Sequence, residues 1–176
     1  MVEAIVAIDE CYGIGKQGGI PWKIREDLLH FKRITLATSR EDLRNKVVMG
    51  RRTWESLPRT CLPGRLNVVI TSRCSSLSVV SSETVLFVPS LAEALREHDS
   101  IPIEKTFIIG GSQLYREALP QCHRLYVTRV SGNFACDTFF PPFEEGFTQR
   151  QRSVEHTDGE TRFRFEVYER TDSSSG

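Results

Sequence analysis

Strand-length runs rich in Val and Ile recur along this chain at residues 4–8, 46–49, 66–70, 84–88, 105–109 and 125–130. Stretches with apolar residues at helical spacing separate most of them, at 25–35, 51–57, 91–97 and 113–119. A tight turn can join antiparallel strands, but a parallel pair needs a crossover of a dozen or more residues, usually a helix. The alternation therefore predicts an α/β domain on a largely parallel sheet. The pattern changes near the end, where Phe163, Phe165 and Val167 alternate with Arg164, Glu166 and Tyr168 behind an Asp158-Gly159 turn signal. That predicts an antiparallel C-terminal hairpin. The 176 residues suit one domain, expected over 1–170, with a frayed tail at 171–176 and a serine-rich loop at 72–82.

Charge and cysteine usage narrow the partners. The 23 basic and 23 acidic residues cancel, so no net field draws the protein to nucleic acid or an anionic membrane, and a small-molecule ligand is the first expectation. The five cysteines, Cys11, Cys61, Cys74, Cys122 and Cys136, are odd in number and contain no CxxC pair, which implies reduced thiols in a cytosolic protein. Residues 1–9 carry a short apolar run with acids Glu3 and Asp9 and no basic leader, so they are read as a first strand and not an export signal. His30, His98, His123 and His156 lack ligand spacing, and no G-x-S-x-G element is present; neither a metal centre nor a hydrolase is expected.

In open parallel sheets ligands sit beyond the carboxyl ends of the strands. Three such ends here carry phosphate-binding chemistry. Gly50-Arg51-Arg52-Thr53 places two guanidiniums and a hydroxyl at the start of a helical stretch. Thr71-Ser72-Arg73 repeats hydroxyls plus an arginine, suited to a second phosphate, and a 2'-phosphate would select NADPH over NADH. Gly110-Gly111-Ser112-Gln113 lets a pyrophosphate approach the backbone closely. Singly, each reads more readily as a plain loop with solvated arginines; together on one sheet edge they make the stronger case for phosphate binding.

Residues Gly13-Ile14-Gly15-Lys16-Gln17-Gly18 match G-x-G-x-x-G literally. The dinucleotide fingerprint needs its helix to begin within the glycines, whereas here Gly19, Pro21 and Trp22 intervene; a mobile loop is expected instead. On the next helix, Ile24, Leu28 and Phe31 form an apolar stripe with Asp27 beside it. Position alone leaves two readings of Asp27: an acid serving the first helical turn, or a carboxylate pointed at a ligand in apolar surroundings.

These segments, with Gly19-Ile-Pro-Trp22, Asp27-Leu-Leu-His-Phe31, Val48-Met-Gly-Arg51, Thr53-Trp-Glu-Ser56, Pro63-Gly-Arg-Leu-Asn67, Ile108-Ile-Gly-Gly111, Leu125-Tyr-Val-Thr128, Asp137-Thr-Phe-Phe-Pro141 and Phe165-Glu-Val-Tyr168, resemble the dihydrofolate reductase family in order and spacing over nearly the whole chain. The resemblance implies a central eight-stranded, mostly parallel sheet flanked by helices. It implies NADPH-dependent reduction of 7,8-dihydrofolate by a monomeric cytoplasmic enzyme that antifolates inhibit. By residue matching, the catalytic group would be Asp27, Trp22 and Thr128. Asp27 and Thr128 would hold the pterin, and Trp22 an ordered water. Substrate would also meet Ile5, Val6, Leu28, Phe31, Leu57, Leu62 and Ile109, with Arg65 clamping the α-carboxylate of the glutamate tail. NADPH would run past Ala7, Ile14, Gly15, Gly18, Gly19, Gly50, Arg51, Arg52 and Thr53. It would continue along Thr71, Ser72, Arg73, Gly110, Gly111, Ser112, Gln113, Leu114 and Tyr115, with Gly110-Gly111 as a cis peptide. Pro89 departs from the pattern, standing where many relatives place a base near the 2'-phosphate. Two rivals are a catalytically silent nucleotide-binding module and a reductase of another pteridine or pyrimidine; the arginine at 65 argues against the second.

Overall fold

A computed structural model of the chain describes residues 1–73, 78–80, 83–97 and 102–172. Its strands are β1 Val2–Ile8, β2 Gly13–Gly15, β3 Arg44–Gly50, β4 Leu66–Ile70, β5 Ser78–Val80, β6 Glu83–Val88, β7 Ile103–Ile108, β8 Arg124–Val130, β9 Thr138–Phe139, β10 Phe147–Arg152, β11 His156–Asp158 and β12 Thr161–Arg170. Its helices are α1 Arg25–Leu36, α2 Arg51–Glu55, α3 Leu91–Ala94 and α4 Ser112–Ala118. Eight strands form the central sheet in the order β10-β12-β8-β1-β7-β3-β4-β6. The inner strands from β8 to β6 run parallel, whereas β12 and β10 are antiparallel. Two short strands extend this sheet, β5 beside β6 and β11 beside β12. The α/β class and the terminal hairpin are as expected from the sequence.

The Val/Ile runs are central because they bury both faces. In β3, Val47 and Met49 enter one apolar layer with Ile5, Val69 and Phe107, while Val48 enters the other with Ile8, Val68, Ile108 and Leu125; all of these are at most 6 % exposed. The first layer is the one against which Phe31 and Ile34 of α1 pack, and the second holds Leu91 of α3 and Leu114, Tyr115 and Ala118 of α4. At about 25 cal/mol per Å² of apolar surface, each fully buried side chain of this kind contributes about 1.5–3 kcal/mol.

Several boundaries differ from the sequence expectation, each for a local reason. Helix α3 stops at Ala94 and not at 97, because buried Lys46 donates from Nζ to the carbonyls of Ala94 (2.8 Å) and Arg96 (2.9 Å). Helix α2 stops at Glu55, where the Ser56 hydroxyl takes the Thr53 carbonyl at 2.6 Å. The segment 13–19 is a ribbon, not an open loop: β2 pairs with β9, and Lys16 bridges Gly19 around Gln17 and Gly18, both at positive φ. No helix begins there, as the rejection of the dinucleotide fingerprint requires. Part of the serine-rich stretch is β5; 74–77 and 81–82 lie outside the described residues, as do Cys74, His98 and tail residues 173–176. Cys11, Cys61, Cys122 and Cys136 are free thiols.

Candidate active site

Helix α1 lies over the first apolar layer and brings Asp27 to β8. Thr128 is 3 % exposed, and its Oγ1 donates to Asp27 Oδ1 at 2.6 Å. Burial pushes the Asp27 carboxyl above the ordinary carboxylate range, with the Thr128 bond opposing that push. Ile5, Phe31, Leu57, Leu62 and Ile109 meet in the same layer with Val47, Met49 and Phe107. A carboxylate therefore stands at the edge of an apolar floor. Trp22 is 7 % exposed and packs edge-on to Phe134 (5.1 Å between centroids) in a cluster with Ile24, Val130 and Phe163, against which Ala7 also packs.

Two of the expected substrate contacts stand apart from this buried layer. The Val6 side chain enters the opposite layer, because adjacent strand residues face opposite ways, so Val6 can offer only its backbone on the Ile5 side. Leu28 is 61 % exposed and stands at the rim of the layer.

Arg65 is 4 % exposed, with Nε donating to the Pro63 carbonyl (3.1 Å) and Nη1 to Thr35 Oγ1 (2.9 Å). Thr35 in turn donates to the Phe31 carbonyl at 2.8 Å. Sequence reading missed Thr35, although a signal existed: Asp27, Phe31 and Thr35 are spaced four apart on one helical face. That face orients both the acid and the cation of the site. The guanidinium is thus aimed before any ligand arrives.

The ends of β3 and β7 are joined by the Gly50 amide donating to the Gly110 carbonyl at 2.8 Å. Gly50 and Gly111 cap α2 and α4 without any side-chain cap bond, which leaves the first-turn amides of both helices open to a partner. The Gly110-Gly111 peptide is cis, as the resemblance implied. Tyr115 reaches under this turn to donate to the Ile5 carbonyl at 2.7 Å. Ser112 is half-buried and Gln113 exposed, but the Leu114 side chain belongs to the core, which leaves only its backbone for the expected cofactor contact. Thr53 lies next to Gly111.

Further along the same edge, the Thr71 amide bonds Val88 and its Oγ1 accepts from the Arg73 amide, which sets exposed Ser72 and Arg73 near exposed Pro89. Arg52 is exposed, whereas Arg51 is paired with Glu55 at 2.8 Å. Ile14 packs against the core. Gly18 and Gly19 form the ribbon tip, open around any added side chain, but a Cβ on Gly15 would lie 2.6 Å from Thr138 Oγ1; the packing of β2 on β9 explains that glycine.

Gly110 has φ +111°, and a Cβ there would lie 3.1 Å from the Tyr115 ring. Gly110→Ala is expected to cost about 1–3 kcal/mol of unfolding free energy through backbone strain. Denaturant unfolding of the variant measures this, and an unchanged midpoint would contradict it.

Asp9 is a second anchoring residue that periodicity did not reveal. It is 1 % exposed; Oδ1 accepts the amides of Cys11 (2.9 Å) and Gly13 (2.7 Å), and Oδ2 that of Phe134 (3.0 Å). Burial alone would raise its pKa, but the amides of Phe134, Gly13 and Cys11 outweigh it and hold the carboxyl below its ordinary range. Asp137 completes the anchoring, accepting the Gln17 amide at 2.8 Å and donating its own to the Gly15 carbonyl at 2.9 Å. The two carboxylates fix the ribbon at the open end of β1.

The site therefore combines a half-buried acid and a buried arginine on one apolar floor with a glycine-rich strand edge beside it. The dihydrofolate reductase family profile matches residues 1–170. This chain belongs to the dihydrofolate reductase family. It is 39 % identical over 150 residues to a dihydrofolate reductase of Drosophila melanogaster, covering 82 % of this chain and 81 % of that protein. To a dihydrofolate reductase of Schistosoma mansoni it is 42 % identical over 149 residues, covering 80 % of this chain and 77 % of that one. It is 40 % identical over 182 residues to a bifunctional dihydrofolate reductase-thymidylate synthase of Glycine max, covering 98 % of this chain and 34 % of that protein. The chain thus spans about a third of the length of the bifunctional relative. Among the described residues, no helix is long and apolar enough to cross a membrane.

Proposed function

We propose that residues 1–170 form one monomeric, cytoplasmic reductase domain that converts 7,8-dihydrofolate to 5,6,7,8-tetrahydrofolate with NADPH, in a cleft where antifolates compete. The observation that carries this reading is the half-buried Asp27-Thr128 pair on the apolar floor, with the buried guanidinium of Arg65 fixed by Thr35. A flat heterocycle with an amino group and ring nitrogen at one end and a carboxylate at the other suits one acid and one cation on a shared apolar floor.

In this reading Asp27 accepts the pterin's amino group and ring N–H, Thr128 holds the carboxylate in place, and Ile5, Phe31, Leu57, Leu62 and Ile109 exclude water from the ring. Arg65 pairs with the tail α-carboxylate. The strand edge fits a dinucleotide because Gly50, Gly110 and Gly111 leave the backbone bare and the first amides of α2 and α4 uncapped. Arg52, Thr53, Thr71, Ser72 and Arg73 would hold its phosphates, with Arg51 exchanging Glu55 for one of them. Bound there, NADPH supplies the hydride for pterin C6. Asp27 is remote from N5, so its charge raises N5 basicity and the proton arrives through water held near Trp22.

Absorbance decay of NADPH with dihydrofolate tests the reading; no turnover by the purified chain would overturn it. With NADH in place of NADPH, kcat/KM is expected to fall by about tenfold or more, since each charge-assisted phosphate contact is worth roughly 1.5–3 kcal/mol. Equal values for the two cofactors would remove the assignment of Arg51, Arg52 and Arg73.

A further inference from the structure

The N-terminal cap of α1 is supplied from the far end of the chain. Ile24 occupies the cap position and makes no side-chain cap bond. Instead Asp158, the last residue of β11, accepts the Arg25 amide on Oδ2 at 3.0 Å. Asp158 faces Thr161 across a two-residue turn whose first residue, Gly159, has φ +61°. Glycine with positive φ in that place marks a tight hairpin turn, so the acceptor sits at the base of a short, constrained loop.

The same hairpin meets α1 at three more points. Glu26 Oε2 lies 3.7 Å from His156 Nδ1, the His30 ring stacks on Phe165 with centroids 3.9 Å apart, and Ile24 shares an apolar cluster with Phe163. Asp27 lies between these contacts in sequence and reaches Thr128, which pairs with Phe165 across β8 and β12. Thr128 is therefore tied to the same strand that carries the helix seat.

We propose that Asp158 is a positioning residue: by capping α1 from the C-terminal hairpin it holds Asp27 at its buried depth against Thr128. It touches no reacting atom. Without the acceptor, the Arg25 amide must turn to water, the first turn of α1 frays, and the third helical residue moves outward. The groups that would then share Asp27's new surroundings are Glu26, His30 and Arg25 on its own helix, and His156 on the hairpin. Thr128 faces it from the sheet, and the buried Tyr115 lies in the layer beyond the sheet.

The test compares Asp158→Ala, Asp158→Asn, which keeps an acceptor oxygen, and Glu160→Ala, which removes an exposed acid of the same turn. The Asp27 carboxyl is titrated by carbon NMR in the ligand-free protein, and single-turnover hydride transfer is followed across pH. Asp158→Ala is expected to return the Asp27 titration toward the ordinary carboxylate range and to slow hydride transfer about tenfold, the scale of a small misplacement. Asp158→Asn should retain most of both properties, and Glu160→Ala should match the parent. If Asp158→Ala leaves the Asp27 titration and the rate profile unmoved while only lowering the melting temperature, the cap is a plain stabilising contact and the proposal fails. The rate arm rests on the proposed reductase activity, whereas the carboxyl titration does not; a parent chain without turnover would sink that activity and still leave the titration to decide the cap.

Discussion

Asp27→Asn is expected to slow hydride transfer by orders of magnitude at pH 7 and to regain much of the rate as the solution is acidified. Asparagine keeps the size of the side chain and an oxygen that can accept from Thr128, so the 2.6 Å bond need not be lost. What disappears is the charge. In the proposed mechanism that charge draws a proton onto pterin N5, and in acid the solvent can protonate the pterin without it. The parent rate should instead fall with rising pH through an apparent pKa that belongs to the enzyme-substrate complex and not to Asp27 alone. Single-turnover kinetics across pH measure both profiles. Near-parental hydride transfer by the variant at pH 7 would make Asp27 an ordinary first-turn acid.

The same substitution should stabilise the ligand-free protein. Burial raises the folded-state pKa of Asp27, so the stability linked to its neutral form is complete below the ordinary carboxylate pKa and is lost as pH rises through the raised value. At pH 7 the folded chain carries an unfavourable buried charge that asparagine removes. Each kcal/mol regained moves the melting temperature of a domain this size by roughly 2–4 °C. The advantage should vanish in acid, where Asp27 is protonated in both states. Greater stability with lost activity would identify a strained functional group.

Arg65→Ala is expected to weaken dihydrofolate binding by about 2–4 kcal/mol, or roughly 30- to 1000-fold in Kd, the cost of stranding one partner of a charge-assisted pair. Arg65 is almost fully buried and already oriented by Thr35 and Pro63, so little entropy is lost when a carboxylate arrives. Pterins without a glutamate tail should bind both forms alike, which separates the clamp from general damage to the fold. Arg65→Lys should recover little, because an ammonium cannot present two parallel donors. Unchanged dihydrofolate affinity in the alanine variant would refute the clamp.

The β-branched runs, the helical stretches between them and the glycine and hydroxyl clusters at their carboxyl ends were all legible in the linear chain. Each is a short-range property: burial on both faces writes itself as a continuous apolar run, and a bare backbone approach writes itself as adjacent glycines such as Gly110 and Gly111. Spacing also identified Asp27 as an acid beside an apolar stripe, but left its role open. Folding brings Thr128, 101 residues away, to its carboxylate. The same is true of the Gln17 amide bound to Asp137 across 120 residues and the Arg25 amide bound to Asp158 across 133. For Val6 and Leu28 the motif names a position, while only the folded chain shows that the Val6 side chain enters the other layer and Leu28 stands exposed. No local period encodes which distant acid meets which amide; that depends on the order of strands in the sheet and on the angle at which α1 crosses β8 and β12.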